Sequence, residues 1–325
     1  MNKTMLAILK VLDKHGGIIG SKEISKELEF YGIDLTERTV RYHLRILDER
    51  GYTKIFGREG RKITQKGKDE LKLSLVSSKV GFVISKIEAL SYQTTLNLDS
   101  LEGEVILNIS YFPEDNFQNA LKIMKPVFSS PYIMSDRLII AKGGDMIGDV
   151  IVPEGKIGIG TVCSVTINGI YLKSGIPVTS RFGGVIEIDN DKPKRFISLI
   201  SYEGSSLDPL EIFISSRMTD VSGAIKKKSG RILASFREIP AVCLDEAKNL
   251  AKKMSGKGIK GILMLGSPNK PLLEIDVGID KVGIVIVGGL NPIAAVHEAN
   301  ISTDSKAMST LYEYSRLSKF HEIVK

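Results

Sequence analysis

The 325-residue chain contains no tryptophan, only two cysteines and only four histidines. None of these thiols and imidazoles fall in close pairs, so the spacings of structural zinc sites and of redox dithiol motifs are missing. Cys163 and Cys243 are far apart in the chain, and two such thiols in a non-secreted protein are more often free and buried than bridged. Long apolar runs are missing as well. No stretch approaches the length of a membrane span, and the opening MNKTMLAILKVLDKHGG lacks the uncharged apolar core of a signal peptide. A cytoplasmic protein without a membrane contact is expected. The sequence also has no GxxxxGK[ST] loop, no HExxH and no GxSxG, and with no recognisable catalytic constellation a non-enzyme is expected. No cofactor is called for.

What is present is an ordinary globular composition, 42% hydrophobic and 26% charged, with length for two or three domains. The formal charge of +7 is unevenly placed. Residues 1–75 hold 16 Lys or Arg against 11 Asp or Glu, and the remainder holds 29 against 27. A basic front on a near-neutral body suits a nucleic-acid-binding module joined to a second domain.

That front is organised around TERTVRYHLRILDERG, residues 36–51. Val40, Leu44 and Leu47 recur at the spacing of one helical stripe, while Arg38, Arg41, Tyr42 and Arg45 fall on the other side, next to Thr39. Thr36 can cap this helix and Gly51 can close it in a left-handed conformation. Before it, Met5, Ile8, Leu9 and Leu12 mark a first helix ending at Gly16-Gly17, and Ser21 is positioned to cap a second through Ile24 and Leu28. After it, Tyr52 to Phe56 alternates as a strand, a glycine-rich basic tip follows at residues 57–62, and Ile63-Thr64 reads as a second short strand. Three helices and a hairpin make a winged helix-turn-helix. Its third helix would enter the major groove of a double-stranded DNA operator, and Arg58, Arg61 and Lys62 on the wing would hold phosphates or the minor groove.

Residues 80–325 read as a mixed α/β (α+β) domain in which short buried strands alternate with helices, including strands at 105–111, 138–141, 262–265 and 282–287. The echo between FGGVIEI and VGGLNPI leaves open one domain or two similar lobes. Gly158 and Gly160 begin a dinucleotide fingerprint, but Cys163 stands where its third glycine belongs. Cys163 is also a conceivable nucleophile with His297 as base, although nothing in the sequence brings the two together. The stretch best fitted to a ligand is residues 156–188. There hydroxyls, glycines, the Asn168 amide and the Arg181 guanidinium suit a small carboxylate, which arginine can clasp through two parallel hydrogen bonds. Thr161, Cys163, Ser180, Arg181 and Gly183 are the candidate effector-binding residues.

The combination of TERTVRYHLRILDERG, the wing GREGRKIT and the segment IGTVCSVTINGIYLKSGIPVTSRFGGVIEI resembles the NrpR-type archaeal repressors of nitrogen assimilation. The resemblance covers essentially the whole chain, and its specific part lies between Cys163 and Ile188. It implies a winged helix over residues 1–75 and an effector-binding and oligomerisation domain over residues 80–325. It further implies repression from inverted-repeat operators, release by 2-oxoglutarate, and a homodimer or higher oligomer. Well-known members carry two tandem effector domains whereas this chain has length for one, so a second NrpR-type subunit is a further candidate partner. Two other functions compete on the residues alone: a metabolite-processing enzyme with a DNA module, and an RNA-binding winged helix.

Overall fold

The computed structural model describes residues 3–74 and 81–324, and the chain divides into two compact units, Met1–Val80 and Gly81–Lys325. The first unit contains α1 (Lys3–His15), α2 (Ser21–Glu29), α3 (Glu37–Glu49), the hairpin β1 (Thr53–Phe56) and β2 (Gly60–Ile63), and α4 (Gln65–Ser74). Its core is the three apolar stripes read from the sequence. Ile8, Leu9, Leu12, Ile24, Leu28, Val40, Leu44 and Leu47 are all fully buried, the outcome expected when amphipathic helices turn their apolar faces together. Two details differ from the sequence reading. Gly20 takes the N-cap position of α2, leaving the Ser21 hydroxyl to donate to Glu37 Oε1 on α3. The second wing strand begins at Gly60, so Arg61 and Lys62 lie within the ladder and only Gly57 to Glu59 form the tip.

The second unit opens with α5 (Phe82–Gln93), followed by β3 (Glu104–Pro113), α6 (Glu114–Phe128), β4 (Arg137–Lys142), a minor hairpin of β5 (Met146–Ile147) and β6 (Val150–Ile151), β7 (Lys156–Val162), α7 (Val165–Lys173) and β8 (Thr179–Asp189). β9 (Lys192–Ser201), α8 (Pro209–Ser215) and α9 (Val221–Lys226) lead into a second series. It comprises β10 (Gly230–Pro240), α10 (Leu244–Gly256), β11 (Ile262–Leu265), β12 (Lys281–Val287), α11 (Asn291–Glu298) and β13 (Asp304–Glu313); β14 (Ser318–Lys319) and α12 (Phe320–Ile323) close the unit. The strands form two antiparallel five-stranded sheets, ordered β13-β3-β7-β4-β14 and β11-β12-β10-β8-β9.

The two series are the same device used twice. Apart from the β5–β6 hairpin, which forms its own small sheet, each runs β-α-β-β-α-β, with its third sheet strand inserted between its first two, the split βαβ arrangement of ferredoxin-like folds. The fourth strands are exchanged: β8 of the first series pairs with β10, and β13 of the second pairs with β3. Neither half completes its sheet alone, so the halves form one folding unit. The repeat is visible in sequence as KIGIGTVCSVTIN against KVGIVIVGGLNPI, in which β7 matches β12 and the start of α7 matches that of α11. The FGGVIEI echo is therefore out of register, because it sets strand β8 against the β12–α11 junction.

Residues 156–188 are taken up by β7, α7 and β8, with residues 163–164 and 174–178 between them. α7 buries Val165 through Tyr171 without interruption, so it carries no polar stripe and gives no amphipathic signal. β10 and β12 are buried on both faces along nearly their whole length, so neither alternates with period two, and β12 after Lys281 is a continuous apolar run.

Candidate nucleic-acid interface and ligand cavity

α3 is built as a delimited two-faced helix. The Thr36 hydroxyl accepts from the Thr39 amide at 3.3 Å and bonds the Thr39 hydroxyl at 2.9 Å, while Gly51 ends the helix at φ 73°. Opposite the buried stripe, Arg38, Arg41, Tyr42 and Arg45 are all exposed. Two of these cations are held along the helix, Arg41 to Glu37 at 2.7 Å and Arg45 to Glu49 at 3.6 Å. Arg41 and the Ser21 hydroxyl together keep the Glu37 carboxyl below its ordinary range. Such exposed i,i+4 pairs are weak and are screened by salt. A phosphate can displace their acidic members, so the helix presents a row of guanidinium groups to an anion.

The wing cations divide into two kinds. Arg58 and Lys62 are exposed and make no ion pair among the described residues. Arg61 differs: its Nε donates to Asp48 Oδ2 at 2.8 Å with only 20% of its side chain exposed, and its backbone bridges Ile19 in both directions at 3.0 Å. Asp48 also accepts from the buried Thr53 hydroxyl. Arg61 therefore braces the wing against the recognition helix instead of reaching outward. Gly60 makes this approach possible, since a Cβ there would stand 2.2 Å from the Ile19 carbonyl oxygen.

In the second unit a cavity of about 460 Å³ lies between α5, α7 and the first residues of β8. Ile84 and Ile87 of α5, Leu172 of α7, and Pro177 and Val178 form apolar walls. Asn168, Ser180 and Arg181 supply polar groups. Two of the five candidate effector residues, Ser180 and Arg181, thus line one cavity. The other three do not. The buried Thr161 hydroxyl donates to the Gly289 carbonyl, Cys163 is buried at the start of the β7–α7 junction, and Gly183 is packed against Pro209 and the Tyr202 hydroxyl. Burial pushes the Cys163 thiol up to about 11, the opposite of what an activated nucleophile needs.

Two charged residues that the sequence reading missed hold lining residues from behind. Arg181 is paired with Glu238 of β10, a buried carboxylate that also accepts from the Gly278 amide at 3.2 Å. One residue earlier, Arg237 is 1% exposed, and its guanidinium donates to the Ser164 carbonyl at 2.8 Å, the Ser164 hydroxyl at 2.9 Å and the Asn168 carbonyl oxygen. The available signal was an Arg-Glu pair inside the otherwise apolar SFREIP, because charges in a buried strand call for partners. The exchanged halves place a second, smaller cavity of about 260 Å³ in the matching position, with His297, Asp304 and Ser305 where the first has Leu172, Thr179 and Ser180. Glu211 of α8 enters this one, and burial raises its carboxyl to about 7. Among the described residues no group of three or more His, Cys, Asp or Glu is arranged to hold a metal, and no helix is long and apolar enough to cross a membrane.

A winged helix-turn-helix followed in the chain by a mixed α/β unit is the architecture of a transcription regulator. Residues 80–319 match the family of NrpR regulatory domains NRD1 and 2, and residues 6–71 match the ribonuclease R winged-helix domain. A global nitrogen regulator NrpRI from Methanosarcina mazei is 38% identical over 98% of this chain and 98% of its own length. Global nitrogen regulators NrpR from Methanococcus maripaludis and Methanocaldococcus jannaschii are 32% and 33% identical, and the chain spans 54% and 56% of their lengths. The crystal structure of a nitrogen repressor-like protein from Methanococcus jannaschii, 32% identical, superposes with a TM-score of 0.62 over 73% of this chain and 98% of that one. The chain belongs to the NrpR family of archaeal nitrogen regulators. It is a regulator, not an enzyme.

Proposed function

We propose that this nitrogen regulator is a cytoplasmic repressor that binds inverted-repeat operators of nitrogen-assimilation genes through its winged helix and lets go when 2-oxoglutarate binds the second unit. The observation that carries the reading is the exposed row Arg38, Arg41, Tyr42 and Arg45, set opposite a fully buried stripe on a capped helix. Such a helix offers arginine forks to guanine edges and phosphates, and the free Arg58 and Lys62 of the wing add backbone contacts. A twofold homodimer would place two such helices about one DNA turn apart, matching a palindromic site. The half-length match to two of the relatives leaves room for a higher oligomer or a second NrpR-type subunit. On the ligand side, a dicarboxylate suits the cavity beside Ser180 and Arg181. To empty an operator it must favour the non-binding state by a coupling of about 1–3 kcal/mol.

The test is a gel-shift titration at fixed salt with fragments from nitrogen-assimilation promoters. Arg41→Ala and Arg45→Ala abolish specific binding without unfolding the chain, and unchanged affinity refutes the DNA assignment. Arg181→Ala keeps DNA affinity but blunts release by 2-oxoglutarate, and an unaltered ligand titration removes Arg181 from the site. The match of residues 6–71 to a ribonuclease winged helix favours one second reading, RNA binding. A preference for single-stranded RNA over duplex DNA in the same titration would establish it.

A further inference from the structure

Among the described residues of the second unit, Arg237 alone has a buried side-chain nitrogen or oxygen without a hydrogen-bond partner. It is 1% exposed, it makes no ion pair among the described residues, and its Nε has no hydrogen-bond partner. Its three acceptors, two on Ser164 and one on Asn168, are neutral. The nearby acids do not help. Burial raises both the Cys163 thiol and the Tyr202 phenol, so neither supplies an anion, and the Asp208 carboxylate is spent on the Leu210 amide at the start of α8. Arginine does not escape burial by losing its proton as lysine does, so a buried guanidinium with only neutral partners lacks a counter-charge.

A route by which one could arrive runs through the cavity floor. Arg237 of β10 is paired in register with Ser180 of β8, and the Asn168 side chain lies between them. Its carbonyl oxygen accepts from Arg237, and its amide donates to Ser180 Oγ at 3.0 Å. Asn168 and Ser180 both line the cavity of about 460 Å³. Rotation of one amide would therefore open the guanidinium to a guest already in the cavity. The matching cavity of the other half lacks this provision. There Ser110 stands opposite Ser305, and the two hydroxyls satisfy each other at 2.8 Å.

We infer that Arg237 is a latent carboxylate-binding group behind an Asn168 gate, and that a small carboxylate entering the cavity beneath α5 displaces the Asn168 carbonyl oxygen and takes its place on the guanidinium. This rests on the effector reading above for the identity of the guest, but not for the existence of the site. Planar guanidinium and carboxylate groups match each other with two parallel hydrogen bonds, and such a pair would also engage Nε. Ser164 and Asn168 belong to the start and middle of α7, the helix packed against α5. Occupancy would thus be felt along the helix that follows the winged-helix unit in the chain.

Asn168→Asp tests this directly, because it supplies a permanent carboxylate at the position the guest would take. The full chain is titrated calorimetrically, and melted at constant ionic strength, with 2-oxoglutarate, glutarate, succinate and inorganic phosphate. Wild type binds 2-oxoglutarate, whereas Asn168→Asp binds at least tenfold more weakly and melts no lower than wild type. Arg237→Met, an apolar replacement of similar length, loses binding to the same extent. If 2-oxoglutarate is inert but glutarate or succinate binds wild type and not the variants, the carboxylate site stands and the 2-oxoglutarate reading falls. Either variant binding within threefold of wild type, phosphate binding alone, or no anion binding wild type overturns the inference.

Discussion

The brace between Asp48 and Arg61 can be tested quantitatively. Asp48 and Arg61 are 14% and 20% exposed at the side chain, between an exposed ion pair, about 0–1 kcal/mol, and a fully buried one, where removing one partner costs about 3–5 kcal/mol. A hydrogen bond to a charged group contributes about 1.5–3 kcal/mol, and Asp48 holds the buried Thr53 hydroxyl as well. Asp48→Asn and Arg61→Gln are each expected to cost about 2 kcal/mol, with the double variant costing about 1–2 kcal/mol less than their sum. Hydrogen exchange of the α1 to α3 amides in the full chain reads the opening free energy of the first unit alone. Additivity within about 0.5 kcal/mol would show that the two side chains are not coupled. A second arm uses DNA: each phosphate contact contributes about 0.9 to the slope of log affinity against log salt. Arg58→Gln should lower that slope by about this amount and Arg61→Gln should leave it alone. An equal loss from Arg61→Gln would refute the brace.

Three further outcomes follow from buried groups. Glu211 titrates near 7 instead of 4.5 because burial disfavours its charged form, so the folded state favours its proton more than the unfolded chain does. The stability it contributes is present below about 4.5 and is lost as pH rises through about 7. Glu211→Gln should flatten that part of the melting-temperature profile, and an unchanged slope would remove Glu211 as its source. Cys163 is buried with its thiol raised to about 11, whereas Cys243 is only partly buried. A maleimide at pH 8 should therefore label Cys243 alone in the folded chain, and modification of Cys163 at a comparable rate would contradict the packing. A Cβ on Gly169 would stand 2.4 Å from the Thr94 Cβ. Gly169→Ala should thus destabilise the second unit by about 1–3 kcal/mol through overpacking of α7 against the end of α5. A neutral effect by denaturant titration would show that the two helices can move apart freely.

The first unit was legible because its helices are amphipathic: Met5, Ile8, Leu9 and Leu12 on α1 or Val40, Leu44 and Leu47 on α3 state a face by their spacing alone. The second unit hid its architecture where burial is two-sided. α7 has no polar stripe, and β13, whose regular pairing with β3 breaks between Lys306 and Thr310, shows no unbroken alternation of buried and exposed residues. Strand exchange is invisible to local pattern, because β8 and β13 look the same whichever half they join. The candidate site was half legible for a related reason. Ser180 and Arg181 stand out as polar residues among glycines, but Thr161 and Cys163 satisfy the interior, and a single buried Arg-Glu pair such as Arg237-Glu238 leaves no periodic signal.

The account turns on whether a metabolite bound to the second unit governs the grip of the first on DNA. The most direct measurement is capture of genomic DNA fragments by the full chain at a stated salt concentration, with and without 2-oxoglutarate. Recovery of fragments from nitrogen-assimilation promoters, lost at least tenfold when 2-oxoglutarate is added and absent for Arg41→Ala, is the predicted result. Recovery that ignores the metabolite, or that survives the loss of Arg41, would contradict it.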